Sequence, residues 1–328
     1  MHKSVSKRKL NMALKGWQKS FLKTFIKVTV TLALLYWVFS KIETKQVLDL
    51  YKKANLWLLI PAIAAFFCSQ IIASSRLFNF FEVIKLNIGK RNNLKLYLLG
   101  MFYNLFLPGG IGGDGYKVIV LSKRYKVKHR KIFWALFNDR LSGLIAVAVL
   151  TVVLFAVVPL HIKYKYYTLF FIILAPFGYI VFNRLFFREY LVIWKKVLYK
   201  SLTIQSLQLV SATFILLSIG IRSNVQAYLM LFLVSSLVSV IPFTVGGIGA
   251  REMAFVIGAN LIGSQPEVCV ALSLIFYFIS AFVSLIGVMY VIKPIELNDF
   301  TSDNLSQDFI TQTELIPNDS RNSSVNSF

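Results

Sequence analysis

The chain has 328 residues, of which 57% are hydrophobic and only 15% are charged. Lys and Arg number 36 against 14 Asp and Glu, and six of the acids lie in 296–328, so a basic, apolar body ends in an acidic tail. A soluble domain carries about 25% charged residues. This composition excludes a soluble enzyme, a disulfide scaffold and a disordered protein, and it leaves a polytopic membrane protein.

Stretches that lack Asp, Glu, Lys and Arg are long enough to cross a bilayer, which takes roughly 20 apolar residues in a helix. In chain order they predict six full crossings, at about 21–40, 55–75, 133–159, 166–183, 201–221 and 268–292. The first becomes long enough by including Lys23 and Lys27, whose ammonium groups can reach the membrane interface, and the third includes Asp139 and Arg140. We interpret the first as a retained anchor, because no signal-peptidase site follows it. The prediction is an all-α fold with a basic N-terminus (1–20), a membrane domain (21–295) and a polar, disordered tail (296–328).

Basic loops set the expected orientation, because Lys and Arg in short loops stay in the cytoplasm. The segments 1–27, 85–95, 117–131 and 184–200 are rich in both, which predicts a multi-pass protein of the cell (inner) membrane with a cytoplasmic N-terminus. Nucleic-acid binding is the competing interpretation of so much positive charge. We expect no nucleic-acid partner, because each basic cluster flanks an apolar span.

Two glycine-rich turns interrupt the apolar segments. The first runs from Pro108 to Asp114, and the second runs from Pro242 to Glu252; both read Pro, Gly-Gly-Ile-Gly and then an acid. Proline and glycine break helices, and broken backbone at membrane depth is tolerated where it is buried or lines a wet cavity. Paired interruptions of this kind point to the central site of a transporter. The alternative is two surface loops whose glycines serve helix packing.

The flanking charges make the first turn a re-entrant hairpin: 85–95 and 117–131 both read as cytoplasmic, and only 96–113 separates them. Two such hairpins suggest an inverted repeat. If the hairpin arms cross fully instead, the number of spans rises from six to about eight.

Several ionisable residues lie in or beside the apolar spans, notably Asp139-Arg140 and Arg251-Glu252. Such groups are costly in a membrane and usually face a partner or a pathway. They either neutralise one another locally or, as carboxylates with arginines, hold an anionic headgroup. Histidines show no metal-ligand spacing and no nucleophile motif stands out, so we expect no metal, cofactor or catalytic residue.

At these motifs the chain resembles the lysylphosphatidylglycerol synthase transmembrane region, a family also called flippase-like proteins. The resemblance covers roughly 20–295 and rests on Asn104, Leu107-Pro108-Gly109 and Gly112-Gly113-Asp114, on Asp139-Arg140, and on Pro242, Gly246-Gly247-Ile248-Gly249 and Arg251-Glu252. The family pattern often has Glu at the position of Asp139 and Arg near Lys117. Asp in place of Glu and Lys in place of Arg keep the sign of the charge but change the length of the side chain that carries it.

The resemblance implies a non-enzymatic protein that translocates a lipid. Its best-known members carry a soluble aminoacyltransferase domain, for which the 296–328 tail is too short, so we expect no aminoacyl transfer. The expected partner is an anionic or lipid-linked membrane lipid, with a separate synthase or glycosyltransferase as a further possibility. The residues expected at the lipid site are Asn104, Pro108, Gly109, Gly112, Gly113, Asp114, Asp139, Arg140, Pro242, Gly246, Gly247, Gly249, Arg251 and Glu252.

Two other functions stay open on the sequence. One is a membrane-embedded glycosyl or phospholipid transferase in which Asp114, Asp139 and Glu252 serve as base or metal ligands. The other is a scaffold, without catalysis, for lipid or glycan synthesis.

Overall fold

The computed structural model describes residues 43–106, 112–159, 165–239 and 249–292, with a few positions between 29 and 41. The regular structure of this part of the chain is entirely helical, which confirms the predicted all-α fold. The α-helices are α1 (Thr44–Lys52), α2 (Leu59–Val83), α3 (Lys90–Phe106), α4 (Gly112–Tyr125), α5 (His129–Val157), α6 (Phe171–Phe186), α7 (Trp194–Ser218), α8 (Val225–Ser239), α9 (Ala250–Leu261), α10 (Pro266–Leu285) and α11 (Met289–Ile292). Short 3-10 segments lie at Leu56–Leu58, Lys165–Phe170, Arg188–Ile193 and Ile286–Val288.

Five helical stretches in the described residues are long and apolar enough to cross a membrane. They are Leu56–Val83, His129–Val157, Tyr166–Phe186, Arg188–Ser218 and Pro266–Val291. These match five of the six predicted crossings, while most of 21–40, like the 1–20 and 296–328 segments, lies outside the described residues. The fourth stretch starts well before the predicted 201, because Lys195, Lys196 and Lys200 lie near the start of its helix and a search for charge-free sequence stops at them.

An antiparallel pair of long helices, α2 and α7, forms the centre of the bundle. The Ser211 hydroxyl donates to the Ala62 carbonyl (2.8 Å), and the Asn55 backbone N–H donates to the Ser218 carbonyl (2.8 Å). These bonds place the start of α2 beside the end of α7. Lys and Arg of 85–95, 123–131 and 195–200 cluster at the end of the bundle where α2 ends and α7 begins. We call this the basic end, and we call the other end of the bundle the opposite end.

Two helical hairpins enter this bundle from different ends. The first, α3 with α4, follows α2 and precedes α5 through short loops, so that its open side lies at the basic end. The second, α8 with α9, connects the end of α7 to the start of α10, so that its open side lies at the opposite end. This arrangement agrees with the prediction that the two interrupted segments enter the bundle in opposite orientations.

Two apolar clusters lie at different levels of the bundle. The cluster at the basic end joins α2, α3, α4, α5 and α7 through residues such as Phe80, Phe81 and Leu121. The larger cluster lies toward the opposite end and is built around aromatic contacts, with the Phe276 ring 4.8 Å from Phe232 and 5.2 Å from Phe66 between centroids.

The first prediction concerns the two hairpins. If each enters the membrane and returns, cysteines at Lys90 and Lys126 label from one face and a cysteine at Ser264 labels from the other. The measurement is labelling of intact cells and inverted vesicles with a membrane-impermeant maleimide, in a background with Cys68 and Cys269 replaced by Ser. Labelling of positions 90 and 126 from different faces contradicts the hairpin arrangement.

Candidate functional site

A polar cavity of about 250 Å³ lies between α2, α3, α4 and α5. Its lining combines three basic side chains with two acidic ones, together with an aromatic, an amide and two apolar side chains. They are Arg76, Lys117 and Arg140, Asp114 and Asp139, Tyr97, Asn104, Met101 and Leu136. Charge of this density among apolar helices is energetically costly unless it is compensated, so each contact in the cavity matters.

Asp114 stands between two of the cations. It lies in the first turn of α4, where a carboxylate also interacts favourably with the positive end of the helix dipole. Its Oδ2 accepts from Arg140 Nε (2.5 Å) and its Oδ1 accepts from Lys117 Nζ (3.3 Å). One carboxylate therefore holds an ammonium and a guanidinium within a few ångströms of each other.

Lys117 reaches Asp114 because the two are three residues apart on one helix, and residues at this spacing share a face. Its side chain is buried and crosses over Gly100 of α3, where an added Cβ would lie 2.5 Å from Lys117 Cε. Its Nζ lies 4.8 Å from the centre of the Tyr97 ring, within the range of a cation–π contact. A side chain larger than hydrogen at Gly100 would displace the lysine.

Asp139 is bound by a different arginine, Arg76 of α2. Arg76 donates from Nε to Oδ1 (2.8 Å) and from Nη2 to Oδ2 (3.2 Å), so that the pair is bidentate. Arg76 Nη1 also donates to the Ser201 hydroxyl of α7 (2.8 Å). Both charged side chains are more than 90% buried. The pair therefore joins α2, α5 and α7 beneath the cavity and is neutral by itself.

The two arms of the first hairpin approach at a pair of glycines. A Cβ on Gly113 would overlap the carbonyl oxygen of Gly100, so the α3 and α4 backbones are in contact there. The Gly113 backbone N–H donates to Asn104 Oδ1 (2.8 Å), which satisfies one of the free donors at the start of α4. Gly113 and Gly100 thus allow the close packing of α3 and α4.

The second turn places its acid at a helix start as well. Gly249 has φ +87°, a conformation that favours glycine, and its N–H donates to Glu252 Oε2 (2.7 Å). Glu252 Oε1 accepts from the Ser273 hydroxyl of α10 (2.7 Å). The neighbouring Arg251 turns away, with its guanidinium 4.7 Å from the Phe232 ring centre and 5.1 Å from that of Phe276. Glu252 and Arg251 therefore each contact groups of other residues: Glu252 accepts hydrogen bonds, and Arg251 lies against aromatic rings.

The structure therefore brings together part of the predicted site. Asn104, Asp114, Asp139 and Arg140 line one cavity and Gly113 packs beside it, whereas Gly249, Arg251 and Glu252 lie in the second hairpin. The predicted Pro108, Gly109, Pro242, Gly246 and Gly247 fall outside the described residues, and Gly112 is the first residue of α4. Within the described residues, no three His, Cys, Asp or Glu side chains come together as a metal site. Of the acids named in the transferase hypothesis, Asp114 and Asp139 line the cavity and Glu252 lies in the second hairpin.

The residues expected at the lipid site do not include two of the cavity's three cations, Arg76 and Lys117. Arg76 stands in the middle of an apolar span, which is itself a signal of a buried partner. Lys117 was placed among the residues of a basic loop, although its spacing of three from Asp114 predicts a shared helix face. Tyr97, Met101 and Leu136 carry no such signal.

Comparison with known proteins gives one family. The chain matches the family described as "Lysylphosphatidylglycerol synthase TM region" over residues 24–201 and 196–287. It is also similar to the UPF0104 membrane protein PH1989 of Pyrococcus horikoshii, with 27% identity over 139 residues. That alignment covers 42% of this chain and 40% of the relative, so the chain spans less than half of the relative's length.

The glycine contact gives a prediction with a matched control. Gly113→Ala forces α3 and α4 apart and is expected to cost about 1–3 kcal/mol, as overpacking does. Gly115→Ala, two residues along the same helix, meets no atom within 4 Å and is expected to stabilise by up to about 1 kcal/mol. Thermal unfolding in detergent measures both. Equal melting temperatures for the two variants would contradict the close packing.

The buried ion pair gives a second prediction. Arg76→Gln or Asp139→Asn alone leaves an unpaired buried charge and is expected to lose about 3–5 kcal/mol of stability. The double variant leaves no lone charge and is expected to lose clearly less than either single variant. Unfolding of the four proteins forms a double-mutant cycle, with Arg130→Gln on the exposed start of α5 as the control. Additive losses would show that the two side chains do not depend on each other.

Proposed function

This chain belongs to the lysylphosphatidylglycerol synthase transmembrane-region family, and we propose that it holds and translocates an anionic phospholipid or lipid-linked anion in the cell membrane. The observation that supports this function is the cavity that contains Asp114, Lys117 and Arg140. It offers cations to a ligand at a level of the bundle where the surrounding helices are apolar. A lipid phosphate is an anion that enters a membrane with its own apolar chains, and it fits such a cavity.

The position of the cavity suits a headgroup. Arg140 lies 11 residues into α5, roughly 17 Å from its start at 1.5 Å per residue. Arg76 lies seven residues before the end of α2, roughly 10 Å by the same rise. Both distances run from the basic end, and each is short of the middle of its own helix, because α5 with 29 residues is roughly 43 Å long and α2 with 25 residues is roughly 37 Å long. In this proposal the basic end faces the cytoplasm and the cavity receives lipid from the inner leaflet.

The side chains of the three cations differ in how far they are exposed. The Lys117 and Arg76 side chains are 4% and 8% exposed, whereas the Arg140 side chain is 49% exposed. Arg140 therefore marks the side from which a ligand arrives, and Lys117 lies deeper. Arginine suits the first contact, because its planar donors match phosphate oxygens in pairs.

The carboxylates favour passage rather than permanent capture. Asp114 already accepts hydrogen bonds from Arg140 and Lys117, so an arriving phosphate competes with this carboxylate for the two cations. The net binding free energy is then only the difference between the phosphate's interaction with the cations and that of Asp114. A transport site must release its ligand, and binding energy that is largely offset permits release. The acid and the cations together thus suit translocation better than storage.

Transport of a labelled lipid tests the proposal. The protein is reconstituted into vesicles with a trace of fluorescent phosphatidylglycerol, and dithionite quenching reports the label that reaches the outer leaflet. Arg140→Gln is expected to slow this rate about tenfold or more, because it removes the exposed cation of the cavity. Arg130→Gln, an exposed arginine at the start of the same helix, is expected to stay within about twofold of the parent.

Two results would count against the function. One is a parent rate equal to that of protein-free vesicles. The other is an equal loss in Arg140→Gln and Arg130→Gln, since that would tie the activity to surface charge rather than to the cavity. Thermal unfolding of each variant shows whether a loss of rate comes from a loss of folded protein.

A further inference from the structure

We infer that the acidic segment 296–328 of this chain docks onto the basic end of the bundle and pairs with its lysines and arginines. The inference goes beyond the proposed function and does not depend on it. It rests on the opposite charges of the segment and the surface, on the place where the chain leaves the described structure, and on the length of the segment.

The basic end presents exposed cations without acids among them. Lys90 and Arg91 at the start of α3 are exposed, as are Lys195 and Lys196 at the start of α7. The sequence contains no Asp or Glu within the segments that define this end, which are 85–95, 123–131 and 195–200. Such a surface attracts an anionic segment, most strongly at low ionic strength.

The segment 296–328 has the opposite charge. It holds six of the chain's 14 Asp and Glu and one basic residue. Membrane insertion does not account for these acids, because Lys and Arg set the orientation and Asp and Glu contribute little to it. Several acids stand next to apolar residues, as in Asp299-Phe300 and Asp308-Phe309, so the segment offers apolar contacts together with ion pairs.

The chain leaves the described structure at the basic end. Gly287 packs against α3, where an added Cβ would overlap the carbonyl oxygen of Leu98. Leu98 lies eight residues into α3, roughly 12 Å from its start, and Ile292 lies five residues beyond Gly287, roughly 7 Å nearer to the same end. The segment therefore begins close to the start of α3, where Lys90 and Arg91 lie.

The length of the segment allows it to cover this surface. Its 33 residues can span at most roughly 110 Å. A helix with its side chains is about 10–12 Å wide, so the segment can pass from the start of α3 to the starts of α5 and α7.

Tethering makes weak contacts sufficient. Ion pairs between exposed side chains are weak one at a time. The acids of 296–328 are joined to the surface by the short stretch 293–295, and a short linker gives an effective concentration on the order of millimolar. Anionic lipid headgroups would bind the same cations, but without this advantage.

The mobility of a spin label on the segment tests the inference. The full-length protein, in nonionic detergent, carries a nitroxide at Ser306→Cys in a background with Cys68→Ser and Cys269→Ser, and its EPR spectrum separates immobilised from mobile label. At about 0.01 M salt the Debye length is about 30 Å, and we expect the immobilised component to dominate. At about 1 M salt, where this length is about 3 Å, we expect the immobilised fraction to fall at least about threefold.

One triple variant removes acids of the segment: Asp299→Asn, Asp303→Asn and Asp308→Asn. We expect it to lower the immobilised fraction at least about threefold at low salt, because the ion pairs it can form are halved.

A second triple variant removes cations where the segment begins: Lys90→Gln, Arg91→Gln and Lys95→Gln. We expect a similar fall. The matched control removes three lysines at the opposite end, by Lys45→Gln, Lys52→Gln and Lys53→Gln, and is expected to keep the parent's spectrum. Thermal unfolding of each variant checks that the protein is folded.

Three results would overturn the inference. The first is a mobile spectrum of the parent at low salt. The second is an immobilised spectrum that neither salt nor the first two triple variants change. The third is an equal fall in the control, which would tie the effect to total charge rather than to the basic end. None of them bears on the proposed function, because lipid transport is measured separately with Arg140→Gln.

Discussion

Compensation of buried charge determines the arrangement of the membrane domain. Helices in a bilayer gain little from the hydrophobic effect between them, so the polar contacts and close packing decide how they associate. Arg76 can remain in an apolar span only beside Asp139, and this requirement fixes α2 against α5 while Ser201 adds α7. Asp114 in turn fixes the start of α4 against α5 through Arg140. The ion pairs thus set the register in which the cavity forms.

Small residues make those ion pairs geometrically possible. The contact of Gly113 with Gly100 lets α3 and α4 touch, and the absence of a side chain on Gly100 leaves the path along which Lys117 reaches Asp114. Gly143 has a similar role on α5, where a Cβ would lie 3.2 Å from Arg76 Nη1. Packing and electrostatics are therefore coupled: a larger side chain at these positions would displace a cation from its carboxylate.

The sequence predicts the position of a residue along the length of the bundle far better than the direction in which its side chain points. The length of the apolar stretches predicts the five crossings found among the described residues. The first turn motif indicates Asp114, and ionisable residues beside an apolar span indicate Asp139-Arg140. The direction within a helix is lost because lipid-facing and protein-facing sides are both apolar, so no periodicity marks them. Lys117 was missed for a related reason, since the start of α4 was assigned to a loop and only its helical geometry directs the lysine toward the cavity.

The two adjacent charged pairs show how helix geometry separates neighbours. Successive residues on an α-helix point about 100° apart, so two adjacent charges cannot serve one partner. Asp139 binds Arg76 while Arg140 binds Asp114, and Glu252 binds Ser273 while Arg251 lies against aromatic rings. The two turns resemble each other in sequence, yet the acid of the first holds two cations, whereas the acid of the second closes a helix start. The two hairpins therefore differ in charge, and the charged cavity lies beside the first of them.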